Sequence, residues 1–179
     1  ENNRMISHVD RVLELAKLDG NNLTYDFELK DICELTNQEL EQMKLQIEAK
    51  EGEMDLSSCA ECLVHVDSFH FSNVIRNLID NAIKYSHGAP QIQVSCIVHS
   101  SSFELVVKDE GIGMSVQEVK HAFDQFYRGG KLDRSGEGGF GLGLSYVRAV
   151  ITAHEGKVKI ASELGKGTTV RISIPKRNG

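Results

Sequence analysis

Residues 73–86 read NVIRNLIDNAIKYS, and two separate patterns run through this stretch. Apolar side chains recur every three or four residues, which predicts a helix with one buried stripe. The members of this stripe are Val74, Ile75, Leu78, Ile79, Ala82 and Ile83. Asn77, Asn81 and Lys84 follow each other at i, i+4 and i+7, so they share another face of the same helix.

The polar face of this helix has two interpretations. Asparagine is a mediocre helix former, so an aligned pair beside a lysine needs a reason. An amide oxygen can ligate Mg²⁺ without adding negative charge, and a nearby lysine can neutralise phosphate oxygens. A solvated polar face would contain the same residue types. The helix alone leaves both interpretations open.

Glycine is concentrated downstream of this helix. Nine of the 16 glycines lie within residues 111–143, where an even spread would give about three. The first cluster, DEGIGM over residues 109–114, follows the alternating stretch FELVVK. A carboxylate at a strand end, Asp109, can accept a hydrogen bond from an exocyclic amine, while Gly111 and Gly113 let the backbone pass close to a flat ring. Adenine carries that donor and guanine a carbonyl, so the arrangement favours adenine, although an ordinary turn also favours Asp and Gly.

The second cluster, GGFGLGLS over residues 138–145, opens an apolar helix. Glycines at a helix N-terminus expose backbone N–H groups, and the helix dipole attracts phosphate to them. The chain contains no G-x-x-x-x-G-K-[ST] motif, which excludes a P-loop. Gly136, Gly138 and Gly141 match G-x-G-x-x-G, but the preceding GKLDRS is not a strand, so a dinucleotide fold is excluded too.

The segment Phe123–Phe140 separates the two clusters and runs for 18 residues without clear periodicity. Loops of that length in a compact domain are usually functional. Its aromatic side chains, among them Phe126, can anchor a mobile lid, while Arg128 or Lys131 reaches a terminal phosphate.

The order of the predicted elements indicates the fold class. Helices are predicted up to about Ala49 and over Phe69–Ser86, Ser115–Ala122 and Gly141–His154. Strands are predicted over Glu53–Leu56, Cys62–Val66, Ile92–Val98, Phe103–Lys108, Lys157–Ala161 and Thr168–Ile174, with a short alternating stretch, LTYDFEL, from residue 23. Antiparallel hairpins mixed with helices predict an α+β fold, with a sheet covered on one face by helices.

Composition excludes several classes of protein. The 179 residues, 40% hydrophobic and 26% charged, suit one soluble domain. No apolar run approaches the roughly 18 residues of a membrane span, and a net charge of −6 argues against nucleic acid or anionic membrane as a partner. We expect the four cysteines, Cys33, Cys59, Cys62 and Cys96, to be reduced and the protein to be cytosolic.

Residues 1–18 carry apolar side chains at helical spacing and predict an amphipathic helix that stops near Gly20. Such a helix can pack on its own domain or form part of a helical bundle whose remainder is missing. The pattern alone does not choose between the two.

Four motifs, taken together and in this order, resemble the catalytic ATP-binding domain of sensor histidine kinases of two-component systems. They are the N box NVIRNLIDNAIKYS, the first glycine box DEGIGM, the F box FDQFYRG and the second glycine box GGFGLGLS. A trailing SELGKGTTVRISIP is similar to the closing strand pair of that family. The resemblance implies a two-layer α/β sandwich of the Bergerat type, with a mixed, largely antiparallel sheet.

The resemblance also implies roles for individual residues. Asn81 matches the Mg²⁺-ligating asparagine, and Asp109 matches the aspartate that reads adenine, with Thr168 or Thr169 nearby. The implied catalytic residues are Asn77, Asn81, Lys84 and Arg128. The implied ATP contacts are these four together with Tyr85, Asp109, Gly111, Gly113, Phe126, Lys131, Gly139, Gly141, Leu142, Gly143, Leu144 and Thr168.

Asn77 favours transfer of the γ-phosphoryl group to an acceptor over hydrolysis of ATP by water. ATPases that share the fold place a glutamate at this position as the general base for water, whereas Asn77 has no basic carboxylate. The γ-phosphoryl group is therefore expected to pass to a docked acceptor histidine. None of the seven histidines has a proline five residues downstream, as the acceptor motif of the family requires, so the acceptor is absent from this chain.

The resemblance divides the chain into residues 1–20, the tail of a phosphoacceptor hairpin helix, and residues 21–179, the ATP-binding domain. It implies ATP and Mg²⁺ as cofactors, and the acceptor hairpin and a response regulator receiver domain as partners, in a homodimeric parent. Two alternatives are a non-catalytic, nucleotide-gated interaction module and a chaperone- or repair-type ATPase. Intact Asn81 and Asp109 argue against the first, and Asn77 against the second.

Overall fold

The computed structural model describes residues 23–57, 60–129 and 141–176. The helix predicted over residues 1–18, Cys59 and most of the predicted lid lie outside these ranges. The strands are β1 (Glu28–Asp31), β2 (Glu53–Ser57), β3 (Leu63–Val66), β4 (Gln91–Val98), β5 (Ser102–Asp109), β6 (Lys157–Glu163) and β7 (Gly167–Pro175). The helices are α1 (Ile32–Glu48), α2 (Ser68–Lys84), α3 (Val116–His121) and α4 (Gly143–Ala153).

Five strands form one mixed sheet in the order β2-β4-β5-β7-β6. β2 runs parallel to β4, and the other three pairs are antiparallel. Alternate residues of β4 and β5 are buried, and the register places Val94 opposite Val107 and Cys96 opposite Leu105. The predicted α+β fold with a largely antiparallel sheet is confirmed.

Helices cover one face of this sheet. All six residues of the apolar stripe predicted on α2 are buried, and Val147, Val150 and Ile151 of α4 join the same core. Burial of each large aliphatic side chain stabilises the fold by roughly 1.5–3 kcal/mol. The opposite face of the sheet carries exposed polar groups, including an ion pair between Arg171 and Glu104. Within the described ranges, none of the helices combines the length and apolar character needed to cross a bilayer.

A second, two-stranded sheet pairs β1 with β3 antiparallel, from Glu28 opposite Val66 to Asp31 opposite Leu63. The strand predicted over Cys62–Val66 is confirmed as β3, whereas the alternating stretch over residues 23–29 overlaps β1 only at Glu28 and Leu29, and the pairing of the two strands was not predicted. Asp31 ends β1 and begins α1, since its carboxylate accepts from the backbone N–H groups of Cys33 and Cys62, each at 3.0 Å. This carboxylate fixes the start of α1 against the small sheet.

The expectation that all four cysteines are reduced is wrong for Cys33, which is disulfide-bonded. A disulfide depends on which distant cysteines meet in space, and the spacing of cysteines along the chain does not contain that information. Cys62 and Cys96 are free and buried. Burial raises the pKa of the Cys96 thiol to about 11, so this thiol is protonated and unreactive at neutral pH.

Two buried histidines hold residues 24–27 against the helical layer. The Nδ1 of His154 lies 2.8 Å from the carbonyl oxygen of Val150, and its Nε2 accepts from the N–H of Asp67 at 3.0 Å. This pair of partners suits only the neutral imidazole protonated on Nδ1. The ring of Tyr25 lies 4.9 Å from that of His70, and the ring of Phe27 lies 4.9 Å from that of His154.

The loop after β5 lies backbone against backbone on the turn between β6 and β7. A Cβ at Gly113, whose φ is +63°, would lie 1.9 Å from the carbonyl oxygen of Glu163. A Cβ at Gly167, whose φ is +93°, would lie 1.9 Å from the carbonyl oxygen of Asp109. The N–H of Gly165 donates to the carbonyl of Ile112 at 2.7 Å. Only glycine permits this approach, which places the first glycine cluster against β7.

We predict that acidification weakens the fold through His154. Burial lowers the pKa of His154 below its ordinary value of 6.5. As the pH falls from 6.5 toward the lower folded value, the unfolded chain binds a proton that the fold excludes, so stability is lost over that window. Thermal unfolding followed by circular dichroism at pH about 7.5 and about 5.5 measures the loss. His154→Gln cannot titrate, so we expect a smaller loss in this variant; equal losses in both proteins would contradict the role of His154.

A matched pair of glycine variants tests the close approach. Gly88 also has a positive φ, +77°, but it has open space around its Cβ position. Gly88→Ala should therefore cost about 1 kcal/mol from backbone strain alone. Gly113→Ala adds a backbone clash and should cost at least about 3 kcal/mol of unfolding free energy. Denaturant unfolding followed by circular dichroism compares the two variants, and equal costs would show that the close approach does not contribute.

Candidate functional site

Asp109 ends β5 with its carboxylate half-buried. Its Oδ1 accepts from the N–H of Gly111 at 2.9 Å and from the N–H of Thr168 at 3.2 Å. Its Oδ2 has no hydrogen-bond partner among the described residues. Burial raises the pKa of Asp109, and the two amide hydrogen bonds oppose that rise. The site thus holds a carboxylate that is anchored by one oxygen and presents the other as an acceptor.

The end of α2 lies directly beside the first glycine cluster. The N–H of Ile112 donates to the carbonyl of Tyr85 at 2.9 Å. A Cβ at Gly111 would lie 2.3 Å from the same carbonyl oxygen, so glycine is required there. The Nζ of Lys84 sits 4.9 Å from the centroid of the Tyr85 ring, a cation–π contact. The predicted base site and the predicted phosphate face of α2 are therefore adjacent.

The amide face of α2 points at the first residue of α4. A Cβ at Gly143 would lie 2.8 Å from Oδ1 of Asn77 and 3.8 Å from Nδ2 of Asn81. The Nδ2 of Asn77 donates to the carbonyl of Asn73 at 2.8 Å, which orients this amide. The half-buried Asn81 side chain makes no hydrogen bond within the described part of the chain. The amide pair and the start of α4 therefore form one surface.

The N-terminus of α4 supplies donors to this surface. The helix begins at Gly143, with Leu142 at the N-cap position, where the side chain has no group to accept a hydrogen bond. The first backbone bond of the helix runs from the N–H of Tyr146 to the carbonyl of Leu142 at 2.9 Å. The N–H groups of residues 143–145 precede that bond, so the helix supplies no acceptor for them. They are oriented to receive an anion.

The F box is hydrogen-bonded to the second glycine cluster. The N–H of Phe126 donates to the carbonyl of Gly141 at 3.0 Å, and both residues have positive φ, +63° and +72°. Phe126 is 58% exposed although it is a large aromatic residue. Arg128 is exposed a short distance further along. Lys131 and Gly139, also predicted as nucleotide contacts, lie outside the described residues.

The structure brings most of the predicted residues into one continuous surface. The predicted base end contains Asp109, Gly111, Gly113, Tyr85 and Thr168, and the predicted phosphate end contains Asn77, Asn81, Lys84, Gly141, Leu142, Gly143 and Leu144. Sequence reasoning missed Ser162, which contacts both the first glycine cluster and Thr168. In the sequence, Ser162 stands out only as the first residue of the motif SELGKGTT.

The chemistry of the donor set suits a hard divalent cation that is shared with a phosphate. Asn81 offers a neutral amide oxygen next to helix amides that attract anions. Within the described ranges, no three His, Cys, Asp or Glu side chains converge into a cage. A cation held here would take few ligands from the protein and the rest from bound phosphate and water, as Mg²⁺ does.

Comparison with known proteins gives the family. The family described as Histidine kinase-, DNA gyrase B-, and HSP90-like ATPase matches residues 66–178. Sensor protein SrrB of Staphylococcus aureus (strain NCTC 8325 / PS 47) is 31% identical over 180 residues, which cover 98% of this chain and 30% of SrrB. The chain thus spans 30% of the length of this curated relative.

Two solved structures are similar to the chain at 27% sequence identity. The mycobacterial sensor histidine kinase MprB has a TM-score of 0.69, over 85% of this chain and 99% of MprB. The Acinetobacter baumannii histidine kinase AdeS has a TM-score of 0.72, over 98% of this chain and 80% of AdeS.

The family match covers α2 with its amide face, the β4–β5 hairpin, both glycine clusters and the closing strand pair. These are the same elements that form the surface described above. The chain belongs to the Histidine kinase-, DNA gyrase B-, and HSP90-like ATPase family, and it contains the ATP-binding domain of a sensor histidine kinase.

Proposed function

We propose that this domain binds ATP with Mg²⁺ and transfers the γ-phosphoryl group to a histidine on a separate helical hairpin. The observation that carries the proposal is the contact between the Asn77–Asn81 amide face and Gly143 at the N-terminus of α4. It combines a metal-ligating oxygen, amide donors and a helix terminus at one place, which is the chemistry of a phosphate site. Asp109, at the other end of the surface, supplies the base recognition.

Base recognition follows from the hydrogen bonds of Asp109. Two backbone amides saturate one side of the carboxylate and fix its plane. The remaining oxygen, Oδ2, accepts from the exocyclic amine of adenine. Gly111 and Gly113 leave the space in which a flat base lies against the backbone.

The phosphate end is built from neutral and cationic groups. Asn81 would hold Mg²⁺, which when bound neutralises charge on the phosphate oxygens. The N–H groups at the start of α4 cradle phosphate oxygens, and Asn77 supports this cradle through its contact with Gly143. Lys84, Arg128 and Lys131 would complete the charge neutralisation, and Gly139 would add a backbone N–H donor to the phosphates. The role of the protein in the transfer step is positioning and electrostatic stabilisation.

Asn77 is the residue that favours transfer over hydrolysis. Its Nδ2 is occupied by the carbonyl of Asn73, and its Oδ1 lies against Gly143, so it offers no basic group to take a proton from water. A docked imidazole needs no such base. Its neutral nitrogen attacks the γ-phosphorus, the bond from that phosphorus to the bridging oxygen breaks, and ADP leaves with the electron pair.

The same proposal assigns the rest of the chain and its partners. Residues 1–20 are the end of a hairpin helix, and residues 21–179 are the catalytic domain. The acceptor histidine lies on that hairpin in a homodimeric parent kinase, and the phosphoryl group passes on to a response regulator receiver domain. The proposal includes no nucleic acid, in keeping with the net charge of −6.

Asp109→Asn tests base recognition. The variant replaces an acceptor by an amide that can present its N–H₂ group to the adenine amine. We expect ATP affinity to fall on the order of 10- to 100-fold, the value of a charge-assisted hydrogen bond, and the preference for ATP over GTP to shrink. Titration calorimetry with both nucleotides measures this. As a control, Asp55→Asn removes a charge from β2 and should change neither the ATP affinity nor the preference for ATP over GTP. Unchanged ATP affinity in Asp109→Asn would rule out the role of Asp109 in base recognition.

Phosphoryl transfer is tested with γ-labelled ATP, Mg²⁺ and an acceptor hairpin that is made separately. We expect label on the hairpin and negligible release of phosphate when the hairpin is omitted. Asn81→Ala should slow transfer on the order of 100-fold through the loss of the metal ligand. Gln46→Ala, an exposed amide on α1, should leave transfer unchanged.

Two results would contradict the transfer proposal. Normal nucleotide binding without any transfer would refute the catalytic role and favour an interaction module. Multiple turnovers of ATP without an acceptor would show that water is activated despite Asn77, as in a chaperone- or repair-type ATPase.

A further inference from the structure

The hydroxyl of Ser162 joins three segments next to Asp109. It accepts from the N–H of Met114 in the first glycine cluster at 2.8 Å. It donates to the carbonyl of Gly167 in the β6–β7 turn at 2.8 Å. Its Oγ also lies 2.9 Å from Oγ1 of Thr168, the residue opposite it in the β6–β7 register.

The protons available to the Ser162 hydroxyl determine which group donates in its contact with Thr168. A serine hydroxyl has one proton and two acceptor positions. The proton is used by the carbonyl of Gly167, and the N–H of Met114 takes one acceptor position. The position that remains faces Thr168, so the Thr168 hydroxyl must donate to Ser162. The lone pairs of Thr168 Oγ1 are then left as acceptors.

Thr168 is the neighbour of Asp109 across the β5–β7 strand pair. The two residues are directly opposite in the β5–β7 register, so their side chains share one face of the sheet. The N–H of Thr168 also donates to Oδ1 of Asp109 at 3.2 Å. With the Thr168 hydroxyl turned toward Ser162, Asp109 and Thr168 both present acceptors.

We propose that Ser162 is a positioning residue that sets selectivity for adenine over guanine by holding the Thr168 hydroxyl as an acceptor. The inference rests on the proposed function, because it requires a base bound at Asp109. Adenine brings an amine donor to these acceptors, whereas guanine brings a carbonyl oxygen that finds no donor. A Thr168 hydroxyl released from Ser162 can rotate and donate to that carbonyl.

The test measures dissociation constants for ATP and GTP on the 179-residue chain. The variants are Ser162→Ala, Ser162→Thr, Thr168→Val and the double variant Ser162→Ala with Thr168→Val. We expect Ser162→Ala to reduce the preference for ATP about three- to tenfold, the value of one hydrogen bond. Ser162→Thr retains the hydroxyl and should retain the preference. Once Thr168 is valine, Ser162→Ala should change the preference no further.

The outcomes separate a positioning role from a merely structural one. A folded Ser162→Ala variant with an unchanged ATP-to-GTP ratio overturns the inference. So does a loss of preference that persists in the Thr168→Val background, since it would not act through the hydroxyl. If Ser162→Ala does not fold, the other two single variants test the inference. The preference for ATP over GTP must then fall in Thr168→Val and remain in Ser162→Thr.

Failure of the proposed function gives a different result. A wild-type chain that binds neither nucleotide, or binds both equally, refutes base recognition at Asp109 and the inference with it. A wild-type chain that prefers ATP, together with an unaffected Ser162→Ala, refutes the inference alone.

Discussion

The carboxylate of Asp109 is the interaction on which the rest of the site depends. By accepting from the N–H groups of Gly111 and Thr168, it ties the end of β5 to the first glycine cluster and to β7. Burial makes the charged carboxylate costly, and these two hydrogen bonds offset that cost. The backbone contacts of Gly113 and Gly167 follow from the same arrangement, since both segments must come close for one oxygen to reach both amides.

The proposed phosphate end is organised by a second constraint, the contact of Gly143 with the amide face of α2. A Cβ at this position would lie 2.8 Å from Oδ1 of Asn77, so any side chain would force the Asn77 amide to move. The contact places the N-terminus of α4 beside the amide face of α2, so groups from two different elements face the same region. The proposed base site and the proposed phosphate site are thus linked through α2, whose C-terminal end meets the first glycine cluster at Tyr85 and whose amide face meets the second at Asn77.

Much of this fold could be predicted from periodicity. The buried stripe of α2, the β4–β5 hairpin and the closing strands are all local patterns, and the structure confirms them. The pairing of β1 with β3 and the disulfide of Cys33 depend on contacts between distant residues, which spacing along the chain does not encode. The candidate residues were found because glycine and asparagine are unusual where they stand, whereas Ser162 looks like any serine in a strand until its three hydrogen bonds are seen.

The central claim is that one nucleotide spans the surface, with its base at Asp109 and its phosphates at Asn81 and the start of α4. A crystal structure of the chain with Mg²⁺ and a non-hydrolysable ATP analogue tests this most directly. The account predicts the adenine amine within hydrogen-bonding distance of Asp109 Oδ2 and the metal ion on Asn81 Oδ1. A base bound away from Asp109, or a metal ion held without Asn81, would contradict it.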